Sequence, residues 1–186
     1  HEVGTHIVTY INGRAQPFRQ MYVGLPGYED LQEGLAVLAE YLVGGLSRPR
    51  LRLLAARVVA ARTMVDGASF VEVFRMLERK HGFSQRSAFT IAMRVFRGGG
   101  LTKDAVYLRG LLQLMEYLRG GGQLEPLLAG KYALQHVPIV EELRLRRVLG
   151  PPPLRPSYLD DPGTHERLER VRAGLSLPDL ITRRRS

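Results

Sequence analysis

The segment Leu31-Gln32-Glu33-Gly34-Leu35-Ala36 lies in a run whose leucines are spaced as on one face of a helix. Because residues three or four positions apart share a helix face, this spacing predicts an amphipathic helix. We expect that helix to span about residues 28–46. The leucines that define its buried face are Leu31, Leu35, Leu38 and Leu42.

Helical spacing continues outward from this segment in both directions, and the sequence contains neither an internal repeat nor a strong strand pattern. The predicted fold is therefore mainly α, a helical bundle. The pair Asn12-Gly13 is typical of a helix C-cap and is predicted to end the first helix, and Ser84 is predicted to be an N-cap. The other helices are expected at about residues 1–11, 49–65, 69–80, 84–96, 103–119, 123–129, 137–148 and 164–174.

The proline run Pro151-Pro152-Pro153 interrupts the helical pattern near the end of the chain. We assign residues 1–160 to one helical domain and residues 161–186 to a C-terminal helical extension with a basic tail. The chain opens on His1, without a methionine and inside a motif. We therefore interpret the sequence as the C-terminal part of a longer protein.

Composition limits the function classes. The sequence has no cysteine, so any metal must be held by His, Asp or Glu, and we expect a reducing, cytoplasmic location. No apolar run approaches the roughly 20 residues that span a bilayer, so no membrane association is predicted.

The net charge of +9 would attract nucleic acid. Because no aromatic residues interleave with the basic clusters as in a base-stacking platform, we favour solvated Arg-rich helix faces and consider nucleic acid an unlikely partner.

The hexapeptide His1-Glu2-Val3-Gly4-Thr5-His6 combines two imidazoles with a carboxylate. A catalytic zinc site needs such imidazoles, a third protein ligand and an open position for water. The common helical solution places the histidines four apart. Here they are five apart, so on an ideal α-helix they would point about 140° away from each other. Both can bind one ion only if the turn is widened, as in a π-bulge, and Gly4 makes such a distortion easier.

Glu33 is a candidate for the third ligand. It lies in an otherwise apolar helical run next to Gly34, which permits close approach of another backbone. An unpaired carboxylate there is costly to bury, and a zinc ion held by His1 and His6 would be a suitable partner if the two helices cross. Two alternatives remain open from the residues alone. The histidine cluster is also consistent with a capping or surface motif, and Glu33 with a solvated side chain favoured by the helix dipole.

Several sequence blocks, taken together with these two motifs, resemble the family of the microtubule-associated tyrosine carboxypeptidase. Its bacterial members are named for the QEGLA motif, present here as Gln32-Glu33-Gly34-Leu35-Ala36, and carry a label about modulating flavohemoglobin expression. The similarity extends in the same order to about residue 160. The matching blocks are residues 1–6, 12–17, 32–36, 94–99, 102–108 and 130–131.

The resemblance implies a zinc metallopeptidase whose helical C-terminal part belongs to a zincin-like catalytic domain, with the sheet in the missing N-terminal part. Carried over residue by residue, it implies His1, His6 and Glu33 as zinc ligands and Glu2 as general base. Eukaryotic members remove the C-terminal tyrosine of α-tubulin. The QEGLA motif here is similar to that of bacterial members, so tubulin is not assumed to be the substrate, and we expect a peptide or protein C-terminus.

A carboxypeptidase also has to bind the terminal carboxylate of its substrate and to stabilise an oxyanion. Arginine suits the first task because its planar fork binds a carboxylate bidentately, and a Tyr or Arg donor suits the second. We predict substrate contacts from Arg94, Arg97, Lys103 and Tyr107, which cluster in one block. The alternative is that these side chains, lying at helix ends, face water.

Three functions follow from these observations. The first is zinc-dependent peptide hydrolysis by a metallopeptidase, possibly of carboxypeptidase type. The second is a non-catalytic regulatory protein that keeps the metal as a structural element; Glu2 argues against it, because a structural zinc site needs no carboxylate beside its first ligand. The third and least favoured is a basic nucleic-acid-binding helical domain, which would bind more weakly as salt increases.

Overall fold

The computed structural model describes the backbone of residues 2–97 and 103–181, and their side chains except those of Glu2 and Val3. These residues are mainly α-helical and include no strand, which confirms the predicted fold class. The predicted basic tail lies outside them beyond residue 181. No helix of the described part of the chain is both long and apolar enough to cross a membrane.

The chain divides into two units, one formed by residues 1–46 and 109–186 and the other by residues 47–108. The predicted boundary at residue 160 is not tested by this division and stays a prediction. In chain order, the described α-helices are α1 (Val8–Arg14), α2 (Gln20–Val23), α3 (Tyr28–Leu42), α4 (Arg48–Val65), α5 (Phe70–Arg75), α6 (Gln85–Phe96), α7 (Val106–Arg119), α8 (Val137–Leu145) and α9 (Pro162–Arg172). Short 3₁₀ turns are formed by Glu125–Leu128, Leu134–His136, Ser157–Asp160 and Pro178–Ile181, and π-helical turns by Glu2–Ile7 and Met76–Lys80.

Helix α3 buries the predicted leucine face, with Leu31, Leu38 and Leu42 each at most 1 % exposed. It ends at Leu42, four residues earlier than predicted. Gly44 adopts a left-handed φ of 74°, and its N–H bonds to the carbonyl oxygen of Tyr41 at 2.8 Å. This glycine turn satisfies the last carbonyl groups of the helix and stops it.

The prediction that Asn12-Gly13 ends the first helix is wrong, because α1 continues to Arg14. Asn12 is fully buried. Its Nδ2 donates to the carbonyl oxygens of Leu128 and Leu154, each at 2.9 Å, and its Oδ1 accepts from the N–H of Leu154 at 2.8 Å. Gly13 allows the Met21 backbone to approach so closely that a Cβ would clash with the Met21 carbonyl. The pair therefore joins α1 to the neighbouring helix α2 and to two distant segments, and it caps nothing.

Helices α3 and α7 cross at a pair of glycines. A Cβ on Gly34 would lie 2.5 Å from the carbonyl carbon of Gly110, and a Cβ on Gly110 would overlap the carbonyl oxygen of Asp30. Beside this contact, Arg109 binds the Asp30 carboxylate through Nε at 3.0 Å and Nη2 at 2.8 Å. The close approach expected at Gly34 is thus observed, and it fixes the position of α3.

In the other unit, α4 and α6 pack through small residues, among them Ala56, Ala60, Ala88 and Ala92, which are at least 94 % buried. The predicted N-cap of α6 is confirmed, since the Ser84 Oγ accepts from the N–H of Ser87 at 3.3 Å. Small side chains let two helices approach closely. They also bring the polar residues that flank this contact on α4 and α6 near one another.

The glycine crossing gives a testable stability effect of unusual sign. A Gly→Ala change in a helix normally stabilises a protein by roughly 0.5–1 kcal/mol. Here we expect Gly34→Ala and Gly110→Ala to lower the free energy of unfolding by about 1–3 kcal/mol, because the added methyl has to displace backbone. Urea denaturation followed by circular dichroism measures the change. Gly150→Ala is the control, since an added Cβ there meets nothing within 4 Å. A stabilised Gly34→Ala protein would contradict the tight crossing.

Candidate metal centre and active site

The first described turn, Glu2–Ile7, is π-helical. This is the widened turn that the five-residue spacing of the histidines predicts. In a π-helix the hydrogen bonds join residues five apart, so two residues with this spacing lie roughly one above the other. His1 itself and the side chain of Glu2 lie outside the described residues. The roles predicted for them therefore stay predictions.

The structure brings His6 and Glu33 together. Nε2 of His6 lies 3.8 Å from Oε1 of Glu33, and each side chain is 22 % exposed. Two zinc ligands at about 2.0–2.2 Å in tetrahedral geometry lie roughly 3.4 Å apart. The observed pair therefore needs only a small adjustment to reach one ion. No third His, Asp or Glu joins these two within the part of the chain that the structure describes.

Gln32 contacts Nδ1, the other ring nitrogen of His6. Its Oε1 lies 3.3 Å from Nδ1 of His6 and accepts a hydrogen bond from the Thr9 hydroxyl at 2.7 Å. An amide oxygen at Nδ1 favours the tautomer with its proton on Nδ1. The lone pair of Nε2 then faces Glu33. This tautomer is the one that a zinc-binding imidazole requires.

Sequence reasoning missed Gln32 and Thr9 as members of the site. Gln32 is only 2 % exposed and Thr9 fully buried. The Nε2 of Gln32 has no hydrogen-bond partner among the described atoms. A signal for Gln32 did exist, because a buried amide in an apolar helical run needs partners just as the neighbouring Glu33 does. For Thr9 the only signal was its position one turn beyond the second histidine.

Tyr158 lies against the π-helical turn from the far end of the chain. A Cβ on Gly4 would meet Cε1 of Tyr158 at 3.7 Å, an ordinary contact. Burial raises the pKa of Tyr158 to about 12, so the phenol keeps its proton at neutral pH and is a potential donor. No local sequence pattern links residue 158 to residue 4, and this neighbour was not predictable.

The predicted substrate residues lie in the other unit. Arg94 forms an ion pair with Asp104. Asp104 is only 2 % exposed. The hydrogen bond to Asp104 raises the pKa of Arg94, and Tyr107 contributes in the same direction. Arg94 and Tyr107 are therefore brought into one cluster around a buried carboxylate. Arg97 is exposed at the end of α6, and Lys103 is half-buried in the turn before α7.

A family model described as microtubule-associated tyrosine carboxypeptidase matches residues 1–176 and so includes every candidate site residue. No curated protein and no solved structure matches the chain. The family name denotes a carboxypeptidase, an enzyme that acts on peptides or proteins. Because the match spans nearly the whole sequence, the chain belongs to the microtubule-associated tyrosine carboxypeptidase family.

Proposed function

We propose that this chain carries the zinc centre of a metallopeptidase that cleaves residues from the C-terminus of a peptide or protein. One observation supports the proposal above the others. The π-helical turn presents Nε2 of His6 to Glu33, while Gln32 contacts Nδ1, the other ring nitrogen of His6. A surface or capping histidine needs neither arrangement, and a metal ligand benefits from both.

The proposed ligands are His1, His6 and Glu33. Two imidazoles and one carboxylate form a donor set found in catalytic zinc sites, where a fourth position stays open. When bound, zinc would polarise the scissile carbonyl and lower the pKa of a water to about 7. The other proposed steps belong to the protein's own side chains.

Glu2 is the proposed general base. It is the first residue of the π-helical turn that also carries His6, and it directly follows His1 in the sequence. In the proposed reaction Glu2 takes a proton from the attacking water and later delivers it to the leaving amine. A regulatory protein with a purely structural metal would have no use for this carboxylate, and we therefore favour the enzyme.

Tyr158 is the proposed oxyanion donor. A phenol is protonated at neutral pH, and burial, which raises the pKa of Tyr158 to about 12, extends this protonated range to more alkaline pH. A neutral hydroxyl beside the reacting carbonyl stabilises the negative charge that develops on its oxygen. We keep Arg94, Arg97, Lys103 and Tyr107 as proposed substrate contacts. Arg94 is the weakest of them, because Asp104 already offsets its charge.

The reaction itself is tested with Glu2→Gln. We expect the variant to retain zinc and to lose cleavage by about 10²–10⁴-fold, since it keeps the side-chain size without the base. Metal analysis is combined with a panel of peptides that have free or amidated C-termini, and only the free form is expected to be cleaved. Glu29→Gln, an exposed change on α3, is the matched control. Full cleavage by Glu2→Gln, or cleavage by protein stripped of zinc, would refute the mechanism.

The role of Gln32 is tested by zinc affinity, measured in competition with a chromophoric chelator. Gln32→Leu removes the acceptor for the imidazole N–H, and we expect a loss of about 10–100-fold. Gln32→Glu restores an acceptor and is expected to bind zinc at least as tightly as the parent. Thr9→Val removes the other hydrogen bond to the same oxygen and is the control. Parent-like affinity in Gln32→Leu would show that the His6 contact is incidental.

Tyr158→Phe is expected to lower kcat/KM by about 10²–10³-fold, the usual effect of losing one oxyanion donor. The zinc content should not change, because the phenol is not among the proposed ligands. The matched control is Tyr10→Phe, which removes the hydroxyl of an exposed tyrosine on α1. If Tyr158→Phe keeps its kcat/KM, another group must stabilise the oxyanion.

A further inference from the structure

We propose that the unit of residues 47–108 contains a binding site for a single oxyanion, a carboxylate or a phosphate, in the groove between α4 and α6, with Arg57 as its principal donor. The proposed oxyanion site occupies a cavity of about 250 Å³. Its principal donor, Arg57, is not among the residues proposed for the peptidase, although Arg94, a proposed substrate contact, lines the same cavity. The residues that line it are Leu53, Arg57, Arg86, Ser87, Thr90, Ile91 and Arg94.

The charge of this cavity is unbalanced. Three guanidinium groups line it, and none of the described lining residues is acidic. The nearest carboxylate in the cluster, Asp104, is bound by Arg94. One anion therefore faces three cations, and a bound oxyanion would reduce their mutual repulsion.

Arg57 shows the imbalance most directly. Its Nε is buried and has no hydrogen-bond partner among the described atoms. Burial, and then the charge of Arg94, lowers the pKa of Arg57. Its guanidinium also lies over the Tyr107 ring, 5.9 Å from the centroid, a contact that offers little compensation at this distance. Arg57 as a whole is half-buried, but a buried N–H without a partner is costly, so an anion that accepts a hydrogen bond from this Nε would stabilise the side chain.

Arg86 completes the donor set from the first turn of α6, the end where the helix dipole favours negative charge. One hydroxyl of the cavity is already engaged as a donor, since Thr90 donates to the carbonyl oxygen of Arg86 at 2.8 Å. The Ser87 hydroxyl accepts from the Ser84 hydroxyl at 2.9 Å and so keeps its own proton as a donor. Because most of the donors that line the cavity are cationic, the site should bind charge in preference to neutral polar groups.

The size and lining of the cavity limit the ligand. A volume of about 250 Å³ corresponds to roughly eight liquid waters, enough for a phosphate ion or the end of a glutamate side chain. Leu53 and Ile91 supply an apolar wall that suits the methylene groups of an acidic side chain. Bidentate binding by a guanidinium fork serves both kinds of oxyanion.

The test is thermal unfolding of the chain in sodium phosphate, in N-acetylglutamate amide and in sodium chloride at equal ionic strength. At ten times Kd we expect the specific anion to raise Tm by about 3–5 °C above the chloride value. A rise with phosphate alone identifies free phosphate as the ligand. A rise with the glutamate derivative identifies an acidic side chain. No rise above chloride with either probe overturns the proposal.

Arg57→Gln gives the decisive comparison. We expect it to abolish the anion-dependent rise while leaving the ligand-free Tm equal to or higher than that of the parent, because the change removes a half-buried cation whose Nε has no partner among the described atoms and which Arg94 repels. Arg57→Lys, which keeps the charge without the planar fork, should retain a reduced rise. Arg62→Gln is the control with the same charge change, on the same helix but in an exposed pair with Asp66. A full rise in Arg57→Gln, or a lower ligand-free Tm, would assign Arg57 to packing and overturn the site.

Discussion

Helix α3 is held from two sides, and the candidate metal centre depends on this. Gly34 lets α7 approach to backbone contact, while Gln32 reaches toward the π-helical turn. These two positions lie about 200° apart around an ideal helix, so the two contacts act on nearly opposite faces. Glu33 lies between them in sequence. Its distance from His6 therefore depends on the glycine crossing, which contains no proposed metal ligand, and on the contact between Gln32 and His6, and a shift of α3 toward either neighbour would change it.

The π-helical turn is the second element of the site, and its backbone conformation is less favourable than that of an α-helix. Turns of this kind are rare and occur often at functional sites. Here the contact of Gln32 with His6 joins the turn to α3, and the hydrogen bond from Thr9 to Gln32 joins the adjoining helix α1 to it as well. A locally unfavourable backbone is thus stabilised by buried polar contacts from a neighbouring helix. Such a conflict between local preference and final structure is expected where function requires it.

Local sequence signals predicted most helices, the Ser84 cap, the widened turn and the close approach at Gly34, because each depends on residues a few positions apart. They failed where the partners are distant. Asn12-Gly13 has the composition of a C-cap, but its partners at Leu128 and Leu154 lie more than a hundred residues away. Tyr158 is missed for the same reason. Arg94 and Asp104 are only 10 residues apart, and their pairing is missed because it depends on how the end of α6 packs against the segment before α7. Tertiary contacts decide what those side chains do.

The three hydrogen bonds of Asn12 have a consequence for any shortened form of the protein. Leu154, which receives one bond and donates another, follows the proline run that looks like a natural place to end a domain. Gln16 reaches the same region, accepting from the N–H of Gly150 at 3.0 Å. A chain cut at the prolines would leave Asn12 buried with lost partners and would also lose Tyr158. Residues 150–158 thus support the N-terminal helix, and a shortened chain that keeps these contacts has to include them.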